Sequence, residues 1–541
     1  MKKFSFMERL KNLTLMQSQE YDVLIIGGGI TGAGAARDAA ARGMKVALIE
    51  AGDFAGGTSS RSSKLIHGGI RYLENMEFKL VFEALNERTK LFEMCPHLVH
   101  HLRFMIPLYE NSRVGMFKMG LGMWLYDALS LFQAPELHER LNGRESLRRM
   151  PALRADGLKG GYIYSDGYMD DDRLVHETMR SAAELGAVIA NWTAATGASF
   201  GENGRLRETR VKDQLTGREF AIRARHVISS VGPWTDEFGA KLFHDWKKIL
   251  RPTKGIHLTL PKNRLPLSSA VVMGAEKSDR IVFGIPRHEM IIIGTTDTDY
   301  KGSPDDVVAT REDVDYLLDI TGHYFPGAGI RESDIIASYA GVRPLVNDNS
   351  GSEGKTSREH TIFTDPRGVT FVAGGKYTTY RLMAKQVVDE VLRHFPQEDR
   401  IRFRATDTAV PLNEDTSPEA YHQALLTVSS LAESSGRPEA EVLPLCERYG
   451  REAEKILARY DSRWSLWQLE AAQAVDMTMC LHLTDFYRRR VPLFLAEPDH
   501  GLSQLDAVTE VFQKKLLWTD AQALEEKATL RRFMEHELAW K

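Results

Sequence analysis

In KLIHGGIRYL, Lys64 to Leu73, a histidine, a lysine and an arginine crowd around two adjacent glycines. The stretch follows neither the two-residue period of a strand nor the stripe of a helix. Its residue types suit chemistry better than packing. An imidazole titrates near neutral pH and can take a proton. A guanidinium or ammonium group attracts an anion. Paired glycines let the backbone lie against a flat ring without side-chain interference.

Such a site needs elements to hold it, and the preceding residues supply them. DVLIIGGGITGAGAARDAAARGMKVALIE contains a buried-strand run, Val23 to Ile26, the spacing Gly27-x-Gly29-x-x-Gly32, a helix of small residues and a second strand ending at Glu50. Gly27 permits the tight turn, Gly29 lets the backbone approach a pyrophosphate, and Gly32 with Ala36 lets the helix pack on the sheet. The helix N-terminus would face phosphates with free N–H groups. Glu50 is placed to accept from a ribose diol and would repel a 2′-phosphate, which disfavours NADP.

The fingerprint does not separate NAD from FAD, but its sequel does. A plain NAD domain would continue in regular α/β units, whereas this chain enters AGDFAGGTSSRSSKLIHGGIRYLEN, a polar, glycine-rich segment that can wrap an extended cofactor. Thr58, Ser59 and Ser63 there offer hydroxyl and backbone donors. VTFVAGGKYTTYRLMAKQVVDEVL later repeats strand, Gly-Gly turn and helix. The N-terminus of that helix, around Lys376 to Thr379, can stabilise negative charge on a reduced flavin. Two glycine turns opening two helices predict FAD.

The whole chain bounds these readings. At 541 residues it is long enough for two or three domains. A net charge of −4 gives no general attraction to nucleic acid, so anion recognition must be local. Cys95, Cys446 and Cys480 form neither a disulfide framework nor a metal-ligand spacing, which fits a cytoplasmic protein without a metal. No uncharged apolar run approaches the roughly 18 residues of a membrane span. Candidate strands recur at HVISSV, IHLTL, RIVFGI, MIIIGTT, DIIASYAG and VTFVAGG; from about Arg404 the pattern becomes helical.

The chain closely resembles the FAD-dependent glycerol-3-phosphate dehydrogenases of aerobic type, together with the related oxidases, from Tyr21 to about Trp518. The resemblance rests on separated motifs in order: GGGITGAGAARDAAARG, TSSRSSKLIHGGIRYLE, YSDGYMDDDRLV, VGPW, KGIHL, IGTTDTDY, GVRPL, SREHTI, GGKYTTYR and LTDFYRRRVPL. It departs from the usual pattern at Ser229, Ser230, Ile256 and Arg287, positions that bear on pocket shape. The fold it implies is α/β: a glutathione-reductase-like FAD-binding fold over 21–100, 166–250 and 341–403, an antiparallel-sheet substrate domain over 101–165 and 251–340, and a helical C-terminal domain over 404–541.

The activity it implies is oxidation of glycerol 3-phosphate to dihydroxyacetone phosphate, with hydride passing to flavin N5 and electrons on to a quinone. Phosphate recognition points to Arg343, Arg358 and Arg71, with Lys376, Tyr72 and Thr379 nearby. The base is a histidine: His67 first, because of its glycines, and His257 second, with Lys254 stabilising either the developing alkoxide or the phosphate. Cofactor contacts implied are Gly27, Gly29, Gly32 and Glu50, then Thr58, Ser59, Ser63, Lys64 and Leu65, then Gly232, Gly375, Lys376 and Thr378. A quinone acceptor implies peripheral attachment to the inner face of the cytoplasmic membrane, through Ser112–Phe132, equally readable as a core helix, or through the N-terminal twenty residues, which read more readily as a frayed tail. A homodimer is left open, and DFYRRRVPLF reads as a basic surface patch or a domain contact. The alternatives are an oxidase using oxygen, a flavin-binding regulatory protein without turnover, and a nicotinamide-dependent dehydrogenase. Family oxidases often carry an insertion in the substrate region that is absent here, which favours the dehydrogenase.

Overall fold

The apolar run inside Glu20–Ile26 becomes the middle of a parallel sheet because both of its faces are covered. It pairs in parallel with Val46–Ile49 on one side and with Glu219–Ser229 on the other. Val188–Ala190 extends one edge, and Val369–Gly374 followed by His360–Asp365 extends the other. The computed structural model describes residues 4–274, 280–347 and 360–541. The helix Ile30–Ala41 packs between the helices Asp171–Glu184 and Tyr380–Arg393, and its alanines allow that close packing.

A second, mostly antiparallel sheet stands beside the first. Its longest partners, Val99–Tyr109 and Leu158–Met169, pair along their whole length. Leu250–Pro261 pairs with both Met290–Gly294 and Ser338–Val346. This last strand stays in the second sheet to Val346, so among the described residues the nucleotide sheet resumes at His360 rather than at residue 341. The N-terminal segment is a docked helix, Phe6–Ser18, and not a frayed tail. Its Arg9 is buried, pairs with Asp213 at 2.6 Å and donates to the carbonyls of Asn191 and Trp192.

No strand follows Gly374 among the described residues. The stretch SLWQLEAAQAVDMTMCLHLTDFYRRR divides into Leu466–Met477 and Leu483–Arg489, because Met479 takes a left-handed backbone and Arg490 anchors Thr478 across the break. Phe486, Phe512 and Leu530 share one apolar core with Phe104, Ile292 and Tyr339 of the second sheet. The helical unit is therefore continuous with the rest of the molecule.

Burial holds five histidines neutral: His226 falls to about 3, His100 to about 4, and His97, His176 and His257 well below the usual value. As pH drops through about 6.5 the unfolded chain protonates each ring and the folded chain does not, so stability declines with acidification, by at most about 1.4 kcal/mol per ring per pH unit. Asp485, raised to about 6 by burial, and Asp38, Glu50, Asp166 and Asp172, raised by the same cause, protonate in the folded chain first and offset part of this. Thermal scans should give a lower melting temperature at pH 5.5 than at 7.5; an equal or higher value would contradict neutral burial of these rings.

Candidate active site

The C-terminal ends of the parallel strands open into a cavity of about 880 Å³ that runs along the seam with the second sheet. Ligand pockets usually span about 300–1,000 Å³. One end is shaped by the first glycine turn. Gly27 has φ +110, and a Cβ on Gly32 would lie 2.0 Å from the Gly27 carbonyl oxygen. The turn and the helix Ile30–Ala41 can therefore approach only without side chains at these points. Ser59 Oγ accepts from the Ile30 N–H at 3.0 Å, which fixes the polar segment over that helix N-terminus. Glu50 accepts from the N–H groups of Gly28 at 2.6 Å and Gly52 at 2.9 Å, and burial raises its pKa. Trp192 and Thr193 continue this end of the wall.

The other end gathers ionisable groups. His67 N–H donates to Thr378 Oγ1 at 3.3 Å, which ties KLIHGGIRYL to the second glycine turn. Lys376 Nζ sits 3.6 Å above the centre of the Tyr72 ring. His257 stacks on Tyr339 at 4.6 Å, and its Nε2 is 2.9 Å from Ser63 Oγ. Burial, then Arg343 and Lys64, hold this imidazole neutral. Arg343 projects from the same strand face as Tyr339. It donates to Asp297 at 3.0 Å, to Thr295 Oγ1 at 2.9 Å and to the Thr296 carbonyl at 3.1 Å. The arginine thus has a carboxylate partner of its own and does not depend on an anionic ligand for one.

The cavity wall takes in Gly27, Gly29, Glu50, Thr58 and Ser59 at the first end, and Ser63, Leu65, His67, Tyr72 and His257 toward the second, with Gly232, Arg343, Gly375, Lys376 and Thr378. Gly32 lies just behind it, against Gly27. Lys64, Arg71, Lys254 and Thr379 are not on the wall. Lys64 is buried in an ion pair with Asp171, which also holds Ser62 and so fixes the loop from behind. Lys254 pairs with Asp313 at 2.5 Å on the face of its strand opposite His257, because a three-residue step in a strand reverses the side. Thr379 Oγ1 donates back to the Lys376 carbonyl at 3.2 Å. Arg358 lies outside the described residues.

Several further groups shape the site. Asp171 and Asp297 stand inside YSDGYMDDDRLV and IGTTDTDY. Arg287, a departure from the usual pattern, is buried against Asp170 and serves the core. Thr484, Asp485, Arg488 and Arg489 reach the wall from the far C-terminal motif, for which sequence spacing gave no signal.

Comparison with known proteins agrees with this geometry. A family profile described as FAD dependent oxidoreductase matches residues 22–381, and one described as the C-terminal domain of alpha-glycerophosphate oxidase matches residues 420–523. The chain is 36% identical, over 94% of its length and 93% of the relative's, to an aerobic glycerol-3-phosphate dehydrogenase of Staphylococcus haemolyticus. A Staphylococcus saprophyticus protein of the same name is 34% identical over the same shares. Among solved structures, a glycerol-3-phosphate dehydrogenase from Bacillus halodurans complexed with FAD superposes with a TM-score of 0.82 at 28% identity, covering 98% of each chain. The side-chain-free turn, the ribose acid and the polar strap fit FAD: they would hold its pyrophosphate and adenosine ribose, with the Gly375 turn left for the ring system.

Proposed function

Because the chain belongs to the FAD-dependent oxidoreductase family, we propose that it oxidises glycerol 3-phosphate to dihydroxyacetone phosphate and delivers the electrons to a membrane quinone. The observation that carries this reading is the arrangement of one cavity: an end shaped by the first glycine turn, and an opposite end walled by His67, His257, Arg343 and Lys376. FAD held in this cavity would supply the two-electron acceptor, at flavin N5.

The residues do the rest. Arg343, held by Asp297 and Thr295, presents positive charge to the substrate phosphate, and Lys376 adds to it. Fixing the phosphate orients the carbinol carbon, which converts much of the entropic barrier into binding free energy. His67 takes the hydroxyl proton as the C–H pair leaves, so two electrons and two protons depart and a ketone remains. Ser63, hydrogen-bonded to His257, closes the polar side of the pocket.

The acceptor reading rests on a surface. The helix Met116–Leu129 exposes Phe117 at 81%, Trp124 at 59% and Leu121 at 58%, beside the exposed Met76 and Phe82 of neighbouring elements. Among the described residues no helix is long and apolar enough to cross a bilayer. An aromatic face of this kind suits attachment at the cytoplasmic membrane surface, where a quinone is reachable.

The test is anaerobic. Glycerol 3-phosphate should bleach the 450 nm flavin band, and vesicles containing quinone should restore it while quinone-free vesicles do not. Persistent yellow colour would overturn the substrate reading. Recovery in air with stoichiometric peroxide, but not with quinone vesicles, would favour an oxidase, a reading kept by the description of the matching C-terminal profile.

A further inference from the structure

The late motif LTDFYRRRVPL folds as the helix Leu483–Arg489 and its continuation, far in sequence from both glycine turns. Its polar side chains nevertheless turn inward. Asp53, three residues after Glu50, is wholly buried and accepts from Arg489 Nε at 2.8 Å and from Arg490 Nη1 at 2.9 Å. Arg489 also pairs with Asp485 at 2.5 Å, and the second oxygen of that buried carboxylate has no hydrogen-bond partner. Next along the wall, Arg61 and Arg488 share a single carboxylate, Glu537, at 3.2 and 3.6 Å. Arg488 also lies 4.4 Å from the Phe533 ring centre.

These ion pairs set four guanidinium groups, Arg61, Arg488, Arg489 and Arg490, against three carboxylates, Asp53, Asp485 and Glu537. Within these ion pairs the guanidinium groups outnumber the carboxylates by one, and Arg61 and Arg488 of that set line the cavity. Arg61 belongs to the strap that also carries Thr58 and Ser59, and Ser59 is bonded to the phosphate-facing helix N-terminus. Burial, then Arg61 and Arg489, press Arg488 well below its usual pKa, a cost that an anion alongside would relieve.

We propose that the C-terminal helical unit forms one wall of the FAD site, in which Leu483–Arg489 locks the loop after Glu50 and Arg488, with Arg61, supplies counter-charge to the cofactor's pyrophosphate. FAD binding and docking of the helical unit are then linked: each stabilises the other, as a ligand stabilises any conformation it binds selectively. This rests on the FAD assignment.

Apoprotein tests it. Arg488→Gln should weaken both FAD and ADP by about 10-fold or more, the value of a charge-assisted hydrogen bond, and leave riboflavin affinity within about twofold. In the wild type, FAD should slow tryptic cleavage at the exposed connector beginning at Arg404 by about 10-fold, and riboflavin should not. Unchanged FAD and ADP affinity in Arg488→Gln, equal losses for riboflavin, or cleavage indifferent to FAD would overturn the proposal. A wild-type apoprotein that takes up no FAD at all would remove the cofactor assignment itself, a result distinct from these.

Discussion

Valine in place of Gly32 yields a folded, colourless protein. The first β-carbon alone would lie 2.0 Å from the Gly27 carbonyl oxygen and 2.7 Å from Ser230 Oγ, and neither neighbour can yield. The carbonyl belongs to the tight turn, and the hydroxyl is held by the carbonyls of Ile26 and Gly27 at 3.1 and 3.2 Å. Relief requires the helix Ile30–Ala41 to lift from the strand by more than an ångström. That movement carries away the Ile30 N–H and with it the strap held through Ser59. Loss of the helix N-terminal donors and of the strap together should weaken FAD by roughly 10³-fold or more, about 4 kcal/mol. The measurements are the 450 nm absorbance of the purified protein and FAD titration of the apoprotein, with far-ultraviolet circular dichroism to show that the fold persists. Gly122→Ala is the control: on the exposed helix Met116–Leu129 an added Cβ meets nothing within 4 Å, so that protein should stay yellow. A Gly32→Val protein with full flavin content would refute the geometric account of the turn.

The Gly32 effect was legible in the sequence because spacing alone fixes a strand, turn and helix in contact. The same holds for Glu50 and the Gly375 turn. What the sequence concealed were relations across long separations and across the two faces of a strand. Lys254 and His257 share a motif and read as neighbours, yet strand alternation sends Lys254 to Asp313 and His257 to the cavity. The long strand Leu158–Met169 was hidden by glycines and by a run of acids after it, which suggest a loop. The expected boundary at residue 341 fell inside a strand because the backbone pairing, which continues to Val346, leaves no mark in local composition.

The C-terminal arginines show a deeper limit. RRR beside aromatic residues reads as a basic patch, because clustered like charges ordinarily face water. Here burial is tolerated because Asp485 sits one helical turn before Arg489 and because Asp53, 436 and 437 positions away, meets Arg489 and Arg490. No pattern within either segment reveals that match. It follows from the fold, in which the helical unit shares a core with the second sheet.

Asparagine in place of His67 should leave FAD bound and slow its anaerobic reduction by about 10²–10⁴-fold, the usual worth of a positioned general base. Asparagine keeps hydrogen-bonding capacity and approximate size but cannot accept the proton. The 450 nm band and its vibronic shape should therefore match the wild type, while stopped-flow bleaching by glycerol 3-phosphate becomes slow. His257→Asn supplies the comparison. His257 is buried at 2% exposure, and its Nε2 is already engaged with Ser63, so its loss should disturb that hydroxyl and slow reduction by only about 10-fold. The pH dependence separates the two roles further. Burial and the neighbouring cations keep His257 neutral well below pH 6.5, so it contributes no acid limb near neutrality. If His257→Asn instead proves the slower variant by orders of magnitude, the proton goes to His257 through Ser63. If both variants reduce at the wild-type rate, neither histidine is the base, and the chemistry assigned to KLIHGGIRYL is mistaken.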